Sequence, residues 1–289
     1  MSYCGMGTIP NKPSQNRIHA LFIGAHPDDA DIEFGGTAIR YLDLGHKVTY
    51  LAMTNGDAGH QSMSGKPLAI RRRKESKAVE AFLGIKYLVL DNHDAELQAT
   101  IQNRNNLIQI IRELRPDLII THRPNDYHTD HRNTSLLVQD MAYLIAVPNV
   151  VPSVPRIDFN PVIVYHQDNF SNPNIFSPNI VVDITNVIDK KMESLALHES
   201  QVFEWLPFIE NYLNDVPESN DKRIRIEWLK KYWGNPGNVN KNLSQLEKLL
   251  SENEYKSIKY IEAFEACEYG GELTREKAQE LFPFGIYNL

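Results

Sequence analysis

The chain has 289 residues, 42% of them hydrophobic and 23% charged, which is enough apolar material for one large core and ordinary for a soluble protein. Thirty basic residues against 37 acidic ones leave a net charge of −7, so there is no electrostatic case for nucleic acid or an anionic membrane as partner. No apolar run reaches membrane-spanning length, and the polar Met1–Gln15 stretch lacks the apolar centre of a signal peptide, so the expected compartment is the cytoplasm. Two cysteines, Cys4 and Cys267, argue against a disulfide framework.

Residues 1–17 read as a flexible tail, and 18–289 as one domain with a helical C-terminal extension. Ile18–Ala25 predicts a strand, Glu33–Leu44 a helix ending at Gly45, and Lys47–Thr54 a second strand closed by Asn55-Gly56-Asp57. Residues 58–66 read as a loop of the kind that covers a sheet edge. Pro67–Leu83 predicts an amphipathic helix, with proline in its first turn and Gly84 past its end. The helix carries the only basic run, Arg71-Arg72-Arg73-Lys74, read as a solvated face. Tyr87–Leu90, Ile101–Leu114, Leu118–Thr121 and His131–Ala146 continue the alternation of strand and helix. Repeated βα units of this length predict a Rossmann-like three-layer α/β fold with a mostly parallel sheet. From Pro148 to Pro178 six prolines interrupt the chain; Val162–Tyr165 and Ile180–Ile184 are expected as strands, and Val187–Val202, Lys222–Tyr232 and Leu243–Leu250 as helices. Tyr260 and Phe264 fall on a helical repeat.

Two clusters carry chemistry. His26-Pro27-Asp28-Asp29 follows the first strand, and His128-Thr129-Asp130-His131 follows the strand ending at Thr121. Both are thus expected at the carboxyl edge of the sheet, where open α/β folds bind ligands. A catalytic zinc site wants three protein ligands and one open position. His26 and Asp29 can supply two from one turn and His131 the third. Asp28 is then a free carboxylate placed to take a proton from water, His128 a group facing an oxyanion or leaving group, and Asp130 the partner that holds the His128 tautomer. The competing reading makes Asp28, Asp29 and Asp130 helix caps.

The chain resembles the PIG-L/LmbE-like family of zinc-dependent N-acetylglucosaminyl deacetylases. The resemblance rests on Ala25-His26-Pro27-Asp28-Asp29-Ala30-Asp31 and on His122-Arg123-Pro124-Asn125-Asp126-Tyr127-His128-Thr129-Asp130-His131. Weaker echoes are Thr54-Asn55-Gly56-Asp57, Arg72 with Glu75, Leu90-Asp91-Asn92-His93-Asp94 and His198-Glu199-Ser200-Gln201, all in order over roughly residues 18–205. Thr129 replaces a common proline, and Ala30-Asp31 replaces a more usual acidic residue directly after Asp29.

The resemblance implies one zinc, or another divalent metal, on His26, Asp29 and His131. It implies Asp28 as general base, and His128 with Asp130 as oxyanion or acid group. It places Arg72 near the base or substrate (Arg71 and Arg73 flank it), Asp94 at the sugar hydroxyls and His198 at the pocket rim. The implied activity is hydrolysis of the acetamide of an N-acetylglucosamine-type sugar or conjugate, in a homo-oligomer such as a trimer or hexamer. A metal amidase or esterase on a non-sugar substrate, and a non-catalytic metal- or sugar-binding protein, are the alternatives. Phe203, Trp205, Phe208 and Tyr212 read as core packing or as a sugar-stacking platform. His122 reads as a residue behind the ligands, His60 as solvated, and His166 as structural.

Overall fold

The computed structural model describes residues 17–219, 221–234 and 237–289. Residues 1–16 of the expected tail, with Cys4, lie outside them. The elements are β1 (His19–Gly24), α1 (Asp29–Glu33), α2 (Gly35–Asp43), β2 (Lys47–Thr54), α3 (Gly65–Leu83), β3 (Lys86–Asn92), α4 (Ile101–Leu114), β4 (Leu118–Thr121) and α5 (Thr129–Leu144). They continue with β5 (Val162–His166), β6 (Ile180–Asp183), α6 (Ile188–Leu195), a π-helix (Ser200–Trp205), α7 (Leu206–Ile209), α8 (Lys222–Trp233), α9 (Gly237–Lys241), α10 (Leu243–Leu249) and α11 (Glu252–Ser257). β7 (Ile261–Gly270), α12 (Arg275–Leu281) and β8 (Gly285–Tyr287) complete the chain.

One eight-stranded sheet runs in the order β3-β2-β1-β4-β5-β7-β6-β8. The first five strands pair in parallel; β7, β6 and β8 join antiparallel. Successive strand residues point to opposite faces, so each strand feeds two cores. Ala20, Phe22, Tyr50, Ile120 and Val164 pack on one face with Phe34, Met192 and Leu195 from α6 and its neighbours. Leu21, Ile23, Leu51, Ile119 and Ile163 pack on the other with Ile108 and Ile111 of α4 and Val138 and Met141 of α5. Both faces are covered, which is why β1 is buried at every position.

The helix ends follow their chemistry. Gly84 closes α3 in the left-handed conformation at φ 70°, and Thr100 caps α4 by accepting the Asn103 N–H. Helix α2 has no side-chain cap of its own. Glu262, from β7, serves instead: its two oxygens accept the N–H groups of Gly36 and Thr37 at 2.8 and 2.7 Å, and Lys191 Nζ donates to it at 2.8 Å. A carboxylate at a helix N-terminus meets both the orphan donors and the positive end of the dipole.

The C-terminal third departs from the sequence expectation. Tyr260 and Phe264 do not lie on a helix: Ile261–Gly270 is a ten-residue strand inserted between β5 and β6. A spacing of four puts two residues on one face of a strand as well as of a helix, so that pair could not discriminate. The C-terminal segment is therefore woven into the sheet instead of forming a helical appendage. The helix expected over Val187–Val202 is regular only over Ile188–Leu195 and resumes as the π-helix. The helix expected over Glu33–Leu44 is α2, and the short α1 that precedes it, separated by Phe34, was not expected.

Candidate active site

The carboxyl ends of β1 and β4 are adjacent because the two strands pair in register, Ile23 opposite Thr121. Gly24 ends β1. A Cβ there would lie 2.7 Å from Asp29 Cβ, so only glycine lets the following turn fold back this closely. The turn brings Asp29 Oδ2 onto the N–H groups of Ala25 and His26, each at 2.8 Å. His122 Nε2 approaches the same oxygen at 3.1 Å. Oδ2 is thus fully used by donors behind it, and Oδ1 is left to face outward.

His26 Nδ1 lies 3.3 Å from His131 Nε2 and 3.7 Å from Asp29 Oδ2, while Asp29 Oδ1 lies 3.8 Å from His131 Nε2. Zinc–ligand bonds of about 2.0–2.1 Å at tetrahedral angles place ligand atoms about 3.4 Å apart. Each ring thus meets a different Asp29 oxygen near this spacing. The groups whose ligand atoms all lie within 4.8 Å of one another, and which could hold a divalent ion, are His26 with His128 and His131, Asp29 with His122 and His131, and His26 with Asp94 and Asp130.

The groups behind the triad orient it. His131 Nδ1 donates to Asp126 Oδ2 at 3.1 Å. His26 Nε2 faces Asp94 Oδ1 at 3.1 Å and Asp130 Oδ2 at 3.4 Å. Burial disfavours a charged His26 ring, but the carboxylates of Asp130, Asp29 and Asp94 outweigh it and raise its pKa well above the ordinary value. Asp29 is likewise held well below the carboxylate range: burial opposes the charge, and His131, His122 and His26 outweigh burial. Three carboxylates converging on one imidazole make a site for a cation, either a proton or a metal ion. His122 is pushed down to about 3, by burial and by its neighbour His131, against the pull of Asp29. Its Nδ1 meets His166 Nε2 at 2.9 Å, so Asp29, His122 and His166 form a line running away from the triad.

Asp28 does not cap α1, since its side chain makes no capping hydrogen bond. It is buried, and its Oδ1 lies 3.0 Å from Arg72 Nη2. Arg72 is itself 2% exposed, reached through Gly56, where a Cβ would sit 2.6 Å from the guanidinium and the backbone turns at φ 67°. The flanking arginines go elsewhere: Arg71 pairs with Glu204 at 2.6 Å, and Arg73 is half exposed near Asp91.

His128 is the N-cap of α5, and its Nδ1 accepts the Asp130 N–H at 3.1 Å. A ring nitrogen that accepts carries no proton, so neutral His128 bears its hydrogen on Nε2. Burial, then His26 and His131, lower its pKa, which keeps it neutral near pH 7. Asp130 therefore fixes the tautomer through its backbone. Its carboxylate, expected on the His128 ring, instead accepts the N–H groups of Ala95 and Leu97 and faces His26.

Other sequence expectations separate here. Asp94 lines the cleft, where it faces His26 and accepts the Gly59 N–H. His198 is not at the rim: it is fully buried, and its Nε2 lies 2.9 Å from Asp31 Oδ2. Burial works against its charge, but Asp31 outweighs it and raises the pKa. His60 is not solvated, since it bonds Glu204 at 2.8 Å and helps pin the 55–64 loop to the π-helix, as does Gln201 through Gly59 O. Of the aromatic cluster, Trp205 lines the cleft and stacks on Phe208, while Phe203 and Tyr212 pack against Trp228. Sequence reading missed Asp126, His166 and Trp233, all in the cleft wall. Asp126 lay inside the quoted motif, five residues before His131. Nothing local marked the other two.

The cleft measures about 510 Å³. Among the described residues no helix is long and apolar enough to cross a membrane.

The GlcNAc-PI de-N-acetylase (PIG-L) family model matches residues 21–142, a span that includes both turns. Diacetylchitobiose deacetylase of Thermococcus kodakarensis is 31% identical over 210 residues, covering 69% of this chain and 78% of that protein. A probable N-acetyl-alpha-D-glucosaminyl L-malate deacetylase 2 of Bacillus anthracis is 27% identical over 76% of this chain and 96% of the relative. Among solved structures, N,N'-diacetylchitobiose deacetylase from Pyrococcus horikoshii aligns with a TM-score of 0.62 at 26% identity, over 86% of this chain and 83% of that one. With the two turns and this likeness together, the chain belongs to the PIG-L family of de-N-acetylases, hydrolases of amide C–N bonds.

Proposed function

We propose that the chain is a zinc-dependent N-deacetylase that hydrolyses the acetamide of an N-acetylglucosamine-type sugar or conjugate to acetate and a free amine. The observation that carries the reading is the disposition of Asp28 and His128: a buried carboxylate not spent on capping, and a neutral imidazole with its proton on Nε2, in the cleft that His26, Asp29 and His131 also line. Pure binding of a metal or sugar needs neither. His26, Asp29 and His131 would hold the ion, and two nitrogens with one oxygen suit zinc. A bound zinc supplies a Lewis acid that polarises the acetamide carbonyl and makes water easier to deprotonate.

The residues do the rest. Asp28 takes a proton from water as the water oxygen forms a bond to the carbonyl carbon. Arg72 holds the Asp28 carboxylate in place at 3.0 Å. The carbonyl oxygen gains negative charge and accepts a hydrogen bond from His128 Nε2–H. Asp28 then returns its proton to the nitrogen, the C–N bond breaks, and acetate and amine leave. Wild type and His26→Ala, compared for bound metal and for acetate release from N-acetylglucosamine derivatives, test the reading. Near one zinc per chain with release, both lost in the variant, is expected. Metal with no release from any sugar would move the activity to another amide.

A further inference from the structure

Strand β2 ends in Thr54, and the Asn55-Gly56-Asp57 turn that follows supplies none of the triad, the base or the oxyanion group. The turn is nevertheless built into the site. Thr54 donates to Ala25 O through its N–H at 2.8 Å and its hydroxyl at 2.9 Å, which ties the end of β2 to the end of β1. Asn55 Oδ1 accepts the Asp57 N–H at 3.1 Å and fixes the turn. Gly56 leaves room for Arg72, the partner of Asp28.

Asp57 is buried, and both of its oxygens are spent on the segment after β3. Oδ1 accepts the Asp94 N–H at 3.0 Å, and Oδ2 accepts from His93 Nδ1 at 2.7 Å. The next N–H, that of Ala95, goes to Asp130 Oδ2 at 2.7 Å. Two carboxylates from distant parts of the chain thus grip consecutive backbone donors. Between them Ala95 is held at φ 66°, a left-handed conformation that alanine keeps only where its surroundings impose it.

This turn delivers the Asp94 carboxylate. Its Oδ2 accepts the Gly59 N–H at 3.1 Å, and its Oδ1 lies 3.1 Å from His26 Nε2. The other ring nitrogen, His26 Nδ1, is the one that faces Asp29 and His131. A carboxylate against Nε2 favours the tautomer with its proton there, which leaves Nδ1 bare to take a metal.

Resting on the zinc-dependent deacetylase reading, we propose that Asp57 is a positioning residue for the metal site. By gripping the Asp94 N–H it sets the Asp94 carboxylate against His26 and so fixes the tautomer and ring of a metal-holding histidine. Asp94 then serves His26 instead of a sugar hydroxyl.

Zinc affinity by chelator competition, the absorption bands of the cobalt-substituted protein and steady-state kinetics test this in the full-length chain. Asp94→Asn should weaken zinc binding about 10–100-fold, the range for a group directly behind a ligand. It should also shift the cobalt bands and lower kcat more than it changes KM. Asp57→Ala should reproduce the cobalt shift with a loss of up to about tenfold, since it acts through Asp94. Asp57→Asn keeps an oxygen for the Asp94 N–H and should restore most of that loss. Combined with Asp94→Asn, Asp57→Ala should add nothing. An additive loss, or wild-type affinity and bands in Asp57→Ala, overturns the role of Asp57. If Asp57→Ala does not fold, Asp57→Glu moves the carboxylate by one methylene: shifted bands support the inference and unshifted bands overturn it. A rise in KM alone in Asp94→Asn places Asp94 on the substrate, and complete loss of zinc makes it a ligand; either overturns the inference. In all these cases a wild type that binds zinc and releases acetate keeps the deacetylase reading intact. A wild type that binds no zinc removes both.

Discussion

The two halves of the sheet divide the labour of the molecule. In the parallel half, β1 and β4 stop side by side, and the segments that follow them carry every residue proposed here for the triad, the base and the oxyanion group. In the antiparallel half, β7, β6 and β8 carry no residue of that set. Their polar investment is structural, most plainly in Glu262, which reaches from β7 to cap α2 and pair with Lys191. The lesson is that buried charge in this protein has two uses. At the parallel edge Asp29 keeps one oxygen unspent while the other is held by backbone N–H groups. At the antiparallel side Glu262 is silenced by satisfying both of its oxygens.

The contrast can be broken in four places. The largest expected effect is on Asp28→Asn, which keeps shape and loses the base. Acetate release should fall on the order of 10²–10⁴-fold with metal content and thermal midpoint near wild type. A variant that keeps full turnover removes Asp28 from the mechanism.

His128→Ala should follow, with kcat lower by about 10²–10³-fold, the usual loss for one oxyanion donor. KM should change little. A loss confined to KM would make His128 a substrate-binding group instead.

On the antiparallel side, Glu262→Ala strands Lys191 and uncaps α2. Stability should drop by about 3–5 kcal/mol, as when one partner of a buried pair is removed, while kcat per folded molecule stays at the wild-type value. Urea unfolding and active-site titration measure the two separately. Lost turnover in the folded fraction would show that the halves are not independent.

The smallest expected effect sharpens the parallel half itself. His166→Ala removes the group behind His122 and so loosens Asp29. Metal affinity should weaken by up to about tenfold, the low end of the range for groups one step behind a ligand, because His166 acts through His122. Competition with a chelator measures it, and an unchanged affinity would leave His166 as packing.

The His198–Asp31 pair adds a pH test. The folded pKa of His198 is raised, so the pair contributes stability that is fully present below the unfolded value near 6.5. That contribution is lost as pH rises through the folded pKa. The stability gap between wild type and His198→Gln should therefore be widest at pH 6 and narrow toward pH 9. A gap that does not change with pH would mean that the pair is not titrating.

What the sequence made legible was local. His26, Asp28 and Asp29 sit within four residues of one another just past one apolar strand, and His128 with His131 within another four, a short loop past a second. Strand-then-cluster is enough to place both at one edge of a parallel sheet. The parts that were not legible are those assembled from distance. His166 meets His122 from 44 residues away, and Trp233 joins the cleft from a helix whose spacing looks like any amphipathic one. His198 was placed wrongly because its motif says nothing of depth: Asp31 draws it inward, below the cleft wall. The 261–270 segment was misread because an even spacing fits strand and helix alike.

One detail of the β1 turn reaches beyond catalysis. Asp29 Oδ2 is held by two backbone N–H groups, which no side-chain substitution can remove without rebuilding the turn. The carboxylate therefore cannot swing to offer both oxygens. A large, oxygen-seeking ion such as calcium, which takes six to eight oxygen ligands, finds a single one in the triad. The main chain thus adds to the choice of cation that two imidazoles and one carboxylate would make at the proposed site, by holding back the second oxygen.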